Sequence, residues 1–170
     1  GDGHASLFTD NRGKMENEEK QDLEIYRKMA ALCSRSEQCV ADIRKKIRAL
    51  GANSLAEEQI IAKLEKENFL NDERYAISFA GEKFKINKWG RVKIRYYLKM
   101  KGIGDKEIRA GLDSIDNEAY VALLVKTMKE KAKGLKKVEK YQKMAQVIRF
   151  TQGRGFEPDL IHRHLEEALG

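Results

Sequence analysis

The sequence predicts an all-α chain of three tandem three-helix repeats that form an elongated, curved helical array. Composition is the first reason. Glu, Lys, Leu, Ala and Arg dominate, and the 170 residues hold one proline, Pro158, a balance that favours helix. Second, β-branched residues are scattered, with no alternating run and no Asn-Gly or Asp-Gly turn between two such runs, so nothing signals a hairpin. Third, one five-position pattern recurs three times.

The pattern is clearest at Ile94, Leu98, Gly102, Ile108 and Leu112. The first two share a helix face at i, i+4. Gly102 stands where a glycine just past the last helical turn ends that helix, and Ile108 and Leu112 restart the period. Upstream, Ile43, Ile47 and Gly51 repeat the first three steps, and Ile60 and Leu64 the last two after a short insertion. Downstream, Val147, Thr151, Gly155, Ile161 and Leu165 match step for step, with Thr151 the weak position. Each copy has a leading helix: Leu23, Tyr26, Ala30 and Cys33 mark the first. Tyr75, Ala76, Phe79 and Ala80 mark the second; Tyr120, Leu123, Leu124 and Thr127 the third.

Caps fit this parsing. Ser36 suits the N-terminus of the helix holding Ile43, and Ser54 with Glu57 reads as a capping box for the next. Asn71 or Asp72 and Asp105 open two further helices, Pro158 fits the first turn of the last, and Gly134 breaks the Lys131–Lys137 run. The expected organisation is a disordered leader or non-native remnant over 1–14, then modules over 15–68, 69–115 and 116–170. A three-helix unit of ~50 residues buries too little to be reliably stable alone, so neighbours are expected to share apolar faces.

Charge is unevenly spread. Lys and Arg number 13 against 15 Asp and Glu over residues 1–80, 19 against 8 over 81–153, and 2 against 4 over 154–170. The whole excess sits mid-chain, a block that suits a polyanion or an acidic protein surface; its bland alternative is a solvated helical face. Residues 81–101 hold Lys83, Lys85, Lys88, Arg91, Lys93, Arg95, Lys99 and Lys101 against Glu82 alone. Arg91, Arg95 and Lys99, at i, i+4 and i+8, form a stripe beside Ile94 and Leu98. Reversing all three to Glu is expected to abolish binding without loss of helix. A second run, Lys126 to Lys143, includes Lys133, Lys136 and Lys137 and contains no arginine, which reads as a diffuse electrostatic contributor. Trp89 is a candidate base-stacking or pocket-filling residue, although a staple-like contact into the core of its own module is favoured. Of the adjacent Tyr96 and Tyr97, one is expected to face the core and the other a partner.

Longer strings carry a family resemblance. Phe69-Leu70-Asn71-Asp72-Glu73-Arg74-Tyr75-Ala76 followed by Phe79-Ala80 resembles the "LLDDERFA…F" segment of RecX proteins. Trp89-Gly90-Arg91-Val92-Lys93-Ile94-Arg95-Tyr96-Tyr97-Leu98-Lys99-Met100-Lys101-Gly102-Ile103 is similar to their "YG-x-x-x-I-x-x-x-L-x-x-KGI" stretch. Arg154-Gly155-Phe156 with Leu160-Ile161, and Ser36 with Ile43 and Arg44, resemble the closing and opening elements. The chain departs from the pattern where Trp89 replaces the usual aromatic, Arg91 a frequent proline, and Thr151 a leucine. The resemblance implies a regulator of homologous recombination and DNA repair that binds RecA–DNA filaments and inhibits RecA ATPase and strand exchange. Its implied partners are the RecA filament, single-stranded DNA and, secondarily, double-stranded DNA. A monomer in the cytoplasm is expected, without membrane attachment.

No catalytic chemistry is legible. Walker, GxSxG, HExxH and dinucleotide-binding motifs are absent, and His162 and His164, two apart on a helix, point to nearly opposite sides. Cys33 and Cys39 lack zinc-ligand spacing, and the longest apolar run, Ala119–Val125, is far shorter than a membrane span. A non-enzymatic protein with no cofactor is expected. The alternatives are a direct double- or single-stranded DNA-binding protein of helix-turn-helix-like character, or a helical scaffold without nucleic acid.

Overall fold

A computed structural model describes the backbone of residues 2–170 and the side chains of residues 11–170. It contains nine helices among the described residues: α1 (Asp2–Arg35), α2 (Val40–Ala49), α3 (Ser54–Lys66), α4 (Asp72–Lys85), α5 (Arg91–Met100), α6 (Asp105–Asp113), α7 (Asn117–Lys133), α8 (Lys140–Gly153) and α9 (Pro158–Leu169). The fold is all-α, and consecutive helices pack as the triplets α1–α3, α4–α6 and α7–α9. The first triplet belongs to one compact unit, residues 1–71, and the other two to a second, residues 72–170.

Every apolar position of the repeated pattern is buried: Ile43, Ile47, Ile60 and Leu64, then Ile94, Leu98, Ile108 and Leu112, then Val147, Ile161 and Leu165. The glycines that separate the paired helices all adopt left-handed backbone, with φ of 95° at Gly51, 74° at Gly102 and 97° at Gly155. Each ends its helix in the same way. Gly102 N–H donates to Lys99 O (3.0 Å) and Ile103 N–H to Leu98 O (3.1 Å). Gly155 and Phe156 do likewise to Gln152 O and Thr151 O. This paired bonding satisfies carbonyls that a helix end otherwise leaves open, and the buried Ile103 and Phe156 supply the accompanying apolar contact. Thr151 is fully buried too; its hydroxyl donates to Val147 O at 2.7 Å, which is how a polar residue stands in a leucine's place.

In the first unit Ile25 and Met29 of α1 join Ile43, Ile47, Ile60, Ile61, Leu64 and Leu70 in one cluster. The buried face of α1 is thus Ile25/Met29. Of the four residues that mark this helix in the sequence, Tyr26, Ala30 and Cys33 flank the cluster, while Leu23 is exposed. Tyr26 donates its phenol proton to Glu67; desolvation first, then that carboxylate, push its pKa up to about 12. Helix α1 also takes in residues 11–14, expected in a leader, with Asn11 and Gly13 inside the helix despite their low propensity for it; the side chains of residues 1–10 lie outside the described residues.

Two caps differ from expectation. Cys39, not Ser36, precedes α2; Ser36 instead accepts from Gln38 Nε2 at 2.9 Å. Asn53, one residue before Ser54, caps α3 by accepting from Ala56 N–H at 2.8 Å, and Glu57 pairs with Arg48 (2.6 Å). Either asparagine or serine can serve this role, so adjacent candidates are not separable by type. Asp105, Gly134 and Pro158 stand where the sequence expects helix ends.

In the second unit α4 and α6 approach closely where Ala76 faces Gly111. Leu98, with no solvent exposure, anchors α5, which packs against both α4 and α6. Leu98→Ala is expected to cost about 2–5 kcal/mol, measured by chemical denaturation; a loss below about 1 kcal/mol at that site would contradict the packing described.

Candidate nucleic-acid interface

Helix α5 owes its orientation to Ile94 and Leu98, buried one turn apart. With that face pinned, the geometry of the helix forces Val92, Arg95, Tyr96, Lys99 and Met100 outward. Tyr96 is 59% and Tyr97 39% exposed. Both tyrosines therefore face solvent, and neither enters the core as one was expected to: the buried i, i+4 pair already fills the inward arc.

Trp89 sits in the α4–α5 connection, where its N–H donates to Lys83 O at 3.0 Å. Its ring is half-buried, stacked on Tyr97 with centroids 4.9 Å apart and planes 30° from parallel. Tyr96 meets Tyr97 edge-on at 5.3 Å. Trp89 thus packs within its own module, yet on an aromatic surface group and not in the core. Cations line that group. Lys93 Nζ lies 4.5 Å and Lys83 Nζ 5.1 Å from the Trp89 centroid. Lys83 also lies 5.4 Å from the ring of Phe79, which stacks on Tyr75 at 5.9 Å. A run of rings and ammonium groups therefore extends from α4 onto α5. Rings offer a π-face to any base, and cations held against them keep their charge for phosphate.

The basic stripe does not survive as one surface. Arg91 is turned into the second unit, its side chain 22% exposed. Its guanidinium donates to Glu157 Oε2 (3.0 Å) and Asn117 Oδ1 (3.1 Å) and lies 3.8 Å from the Tyr120 ring centroid. Its backbone N–H donates to Tyr120 Oη at 2.9 Å, and the Tyr120 hydroxyl donates in turn to Glu157. Burial first, and then the Glu157 carboxylate, hold the Tyr120 pKa above its ordinary value, so the phenol stays a donor. Nearby, Gly90 N–H donates to Arg154 O (2.8 Å) and Val92 N–H to Gly155 O (2.9 Å). These bonds lock α5 to the α8–α9 turn. Arg91 is a structural clamp, a role hidden from the sequence because its carboxylate partner is 66 residues away.

The remaining candidates divide. Arg95 is exposed, and Lys99 lies 3.8 Å from Asp105 across an exposed, weakly coupled pair. Lys101 closes α5. Lys85 and Lys88 lie with Lys126 of α7 along a separate concavity. Lys133 ends α7 and lines a depression with Glu130 and Glu167, and Lys136 and Lys137 are exposed in the following turn. Sequence reasoning missed Tyr120, Asn117 and Glu157 of the clamp. It also missed Phe79 as a surface ring, although Phe79, Lys83 and Trp89 at spacings of four and six were a readable signal.

Residues 71–112, which include α4, α5 and the stacked rings, match the family model described as the RecX second three-helix domain. Regulatory protein RecX of Clostridium acetobutylicum is 32% identical over 156 residues, covering 88% of this chain and 72% of that protein. The chain belongs to the RecX family. Regulatory protein RecX of Clostridium botulinum strain Eklund 17B is 33% identical over 131 residues, and this chain spans 60% of its length. The crystal structure of RecX from Lactobacillus salivarius superposes with a TM-score of 0.82 at 21% identity, covering 88% of this chain and 97% of that one; this likeness speaks to the RecX fold. Among the described residues no cluster of His, Cys, Asp or Glu is placed to hold a metal ion, and no helix is long and apolar enough to cross a membrane.

Proposed function

We propose that this RecX family chain is a non-enzymatic regulator of recombination and repair. In this reading it binds RecA–DNA filaments, engages their DNA through the α4–α5 surface, and lowers RecA ATPase and strand exchange. One observation carries the DNA part: the stack of half-buried Trp89, in the α4–α5 connection, on exposed Tyr97 of α5, beside Lys83, Lys93 and Arg95. Stacking on aromatic side chains contributes about 1–3 kcal/mol per base, and the cations add a salt-dependent share. The same pair favours single-stranded over sequence-reading duplex binding, since a ring face accepts every base.

The test is a titration of RecA's DNA-dependent ATPase. The wild-type chain is expected to depress it at less than one chain per RecA. Tyr97→Ala, which removes the stack at a surface position, is expected to need roughly five- to a hundredfold more protein for the same inhibition. Inhibition by Tyr97→Ala indistinguishable from wild type would remove the platform from the mechanism. No effect of wild type on RecA, with binding to single strands retained, would leave a direct DNA-binding protein.

A further inference from the structure

The second unit carries another basic surface that the α4–α5 platform does not use. Two concavities, of about 390 and 310 Å³, share Lys88, Leu123 and Lys126 and so form one groove. Three segments converge on it. Helix α7 supplies Lys126, Glu130 and Lys131; Phe150 of α8 and Arg154, its C-cap, come from a second segment; the end of α4 and the turn after it supply Lys85 and Lys88.

Its charges are one-sided. The larger concavity gathers Lys88, Lys126, Lys131 and Arg154 around a single carboxylate, Glu130. Like charges brought together from three segments repel, and a fold tolerates this at a cost that a bound anion relieves. These cations are also placed without being neutralised. Lys131 Nζ and the Arg154 guanidinium each lie 5.0 Å from the Phe150 ring. A ring face fixes a cation's position while leaving its full charge for an incoming ligand. Lys88 adds a separate sign. It adopts left-handed backbone at φ 61°, a conformation uncommon for a long side chain and often kept where local strain serves a site.

We propose that this groove holds the phosphodiester backbone of a nucleic-acid single strand, a second stretch of contact beyond the aromatic platform. The proposal rests on the DNA-binding reading above and extends it to Lys88, Lys126, Lys131 and Arg154. A single strand fits the groove's modest volume, whereas a duplex is too wide to enter and would only cross its rim. The two sites divide the work: bases stack on α5, and phosphates run along α7.

The experiment measures binding of the 170-residue chain to fluorescein-labelled oligothymidylate by anisotropy across a salt series. Lys126→Gln with Lys131→Gln is expected to weaken binding roughly tenfold at low salt. It should also flatten the slope of log affinity against log salt by about 0.7 for each phosphate that the variant no longer neutralises. Glu130→Gln is expected to shift affinity the other way, a tightening that misfolding cannot mimic. Tyr97→Ala should weaken binding with its salt slope intact. If the double lysine variant and Glu130→Gln both match wild type while Tyr97→Ala still weakens binding, the groove is overturned and the platform stands. If wild type neither binds the oligothymidylate nor affects RecA, the underlying functional reading fails. Displacement of the strand by inorganic phosphate at concentrations near those of the oligothymidylate's own phosphates would make this a small-anion pocket. An equal loss of mixed-sequence duplex binding in the lysine variant would make it a duplex contact. Either result overturns the single-strand assignment.

Discussion

Gly90→Ala and Gly155→Ala are expected to be the most destabilising single methyl additions in the second unit. A Cβ on Gly90 would meet the backbone carbonyl of Gly155 and the amide of Phe156, all well inside the 3.0 Å below which real Cβ atoms essentially never pack. A Cβ on Gly155 would meet Lys93 Cβ and, at 2.8 Å, Lys93 N. Backbone cannot retreat as a flexible side chain can, so the contact between the start of α5 and the α8–α9 turn must open. Gly155 adds a second cost, since its φ of 97° is unfavourable for any side chain by about 1–2 kcal/mol. The two causes are separable. Gly90 has an ordinary φ of −81°, so its variant reports the clash alone. Gly51, with φ 95° but only the Gln21 side chain nearby at 3.3 Å, reports the conformational cost alone. Gly153→Ala, with nothing within 4 Å at the end of α8, should be neutral or slightly stabilising. Thermal unfolding followed by circular dichroism should show Gly155→Ala losing about 3 kcal/mol or more, roughly 10 °C or more in Tm. A Gly90→Ala variant melting with wild type would mean that the two turns do not touch.

The second large effect concerns Arg91. Arg91→Ala removes the guanidinium that Glu157 and Asn117 share and leaves a three-quarters-buried carboxylate without its cation. Stranding a charge in this way costs more than the ion pair itself contributes; solvent access discounts the loss to about 1–3 kcal/mol. Arg91→Glu should cost more, because two carboxylates then face one another. Reversal of Arg95 and Lys99, both exposed, should leave the melting curve within about 0.5 kcal/mol of wild type. The triple reversal that the sequence suggests as a test of binding would therefore mix a folding defect with an interface defect. The Arg95/Lys99 pair is the clean version. Its expected result is weaker filament inhibition at unchanged stability; lost stability would show that these two side chains are also internal ties. The clamp has an alkaline limit as well. Folding raises the Tyr120 pKa above its ordinary 10.0. The folded chain therefore binds this proton more tightly than the unfolded one, and the tyrosine's contribution is complete below pH 10.0 and declines as pH rises beyond it.

The helical triplets were legible because their signals are local. A buried i, i+4 pair followed by a glycine four residues on describes a helix and its end within a single stretch of chain. Ile43/Ile47/Gly51, Ile94/Leu98/Gly102 and Val147/Thr151/Gly155 all realise it. Even Thr151, the misfit, is accommodated by a bond to its own helix. The cap shifts at Cys39 and Asn53 are failures of resolution, since neighbouring polar residues compete for one role. The stacked Trp89 and Tyr97 were half-legible: both were noticed, but their pairing depends on the path of the α4–α5 connection.

By itself the sequence determined the helical class, the triple repeat, the helix-ending glycines and the basic middle of the chain, all properties of residues near one another along the backbone. Only the tertiary structure decided which of those cations remain available. Arg91 and Arg95 differ by one helical turn and look alike in a charge pattern. Arg91 meets a carboxylate carried by the α8–α9 turn, and Arg95 meets water. The physical reason is that a side chain's free charge depends on what packing brings to it, and that partner can come from any distance along the chain.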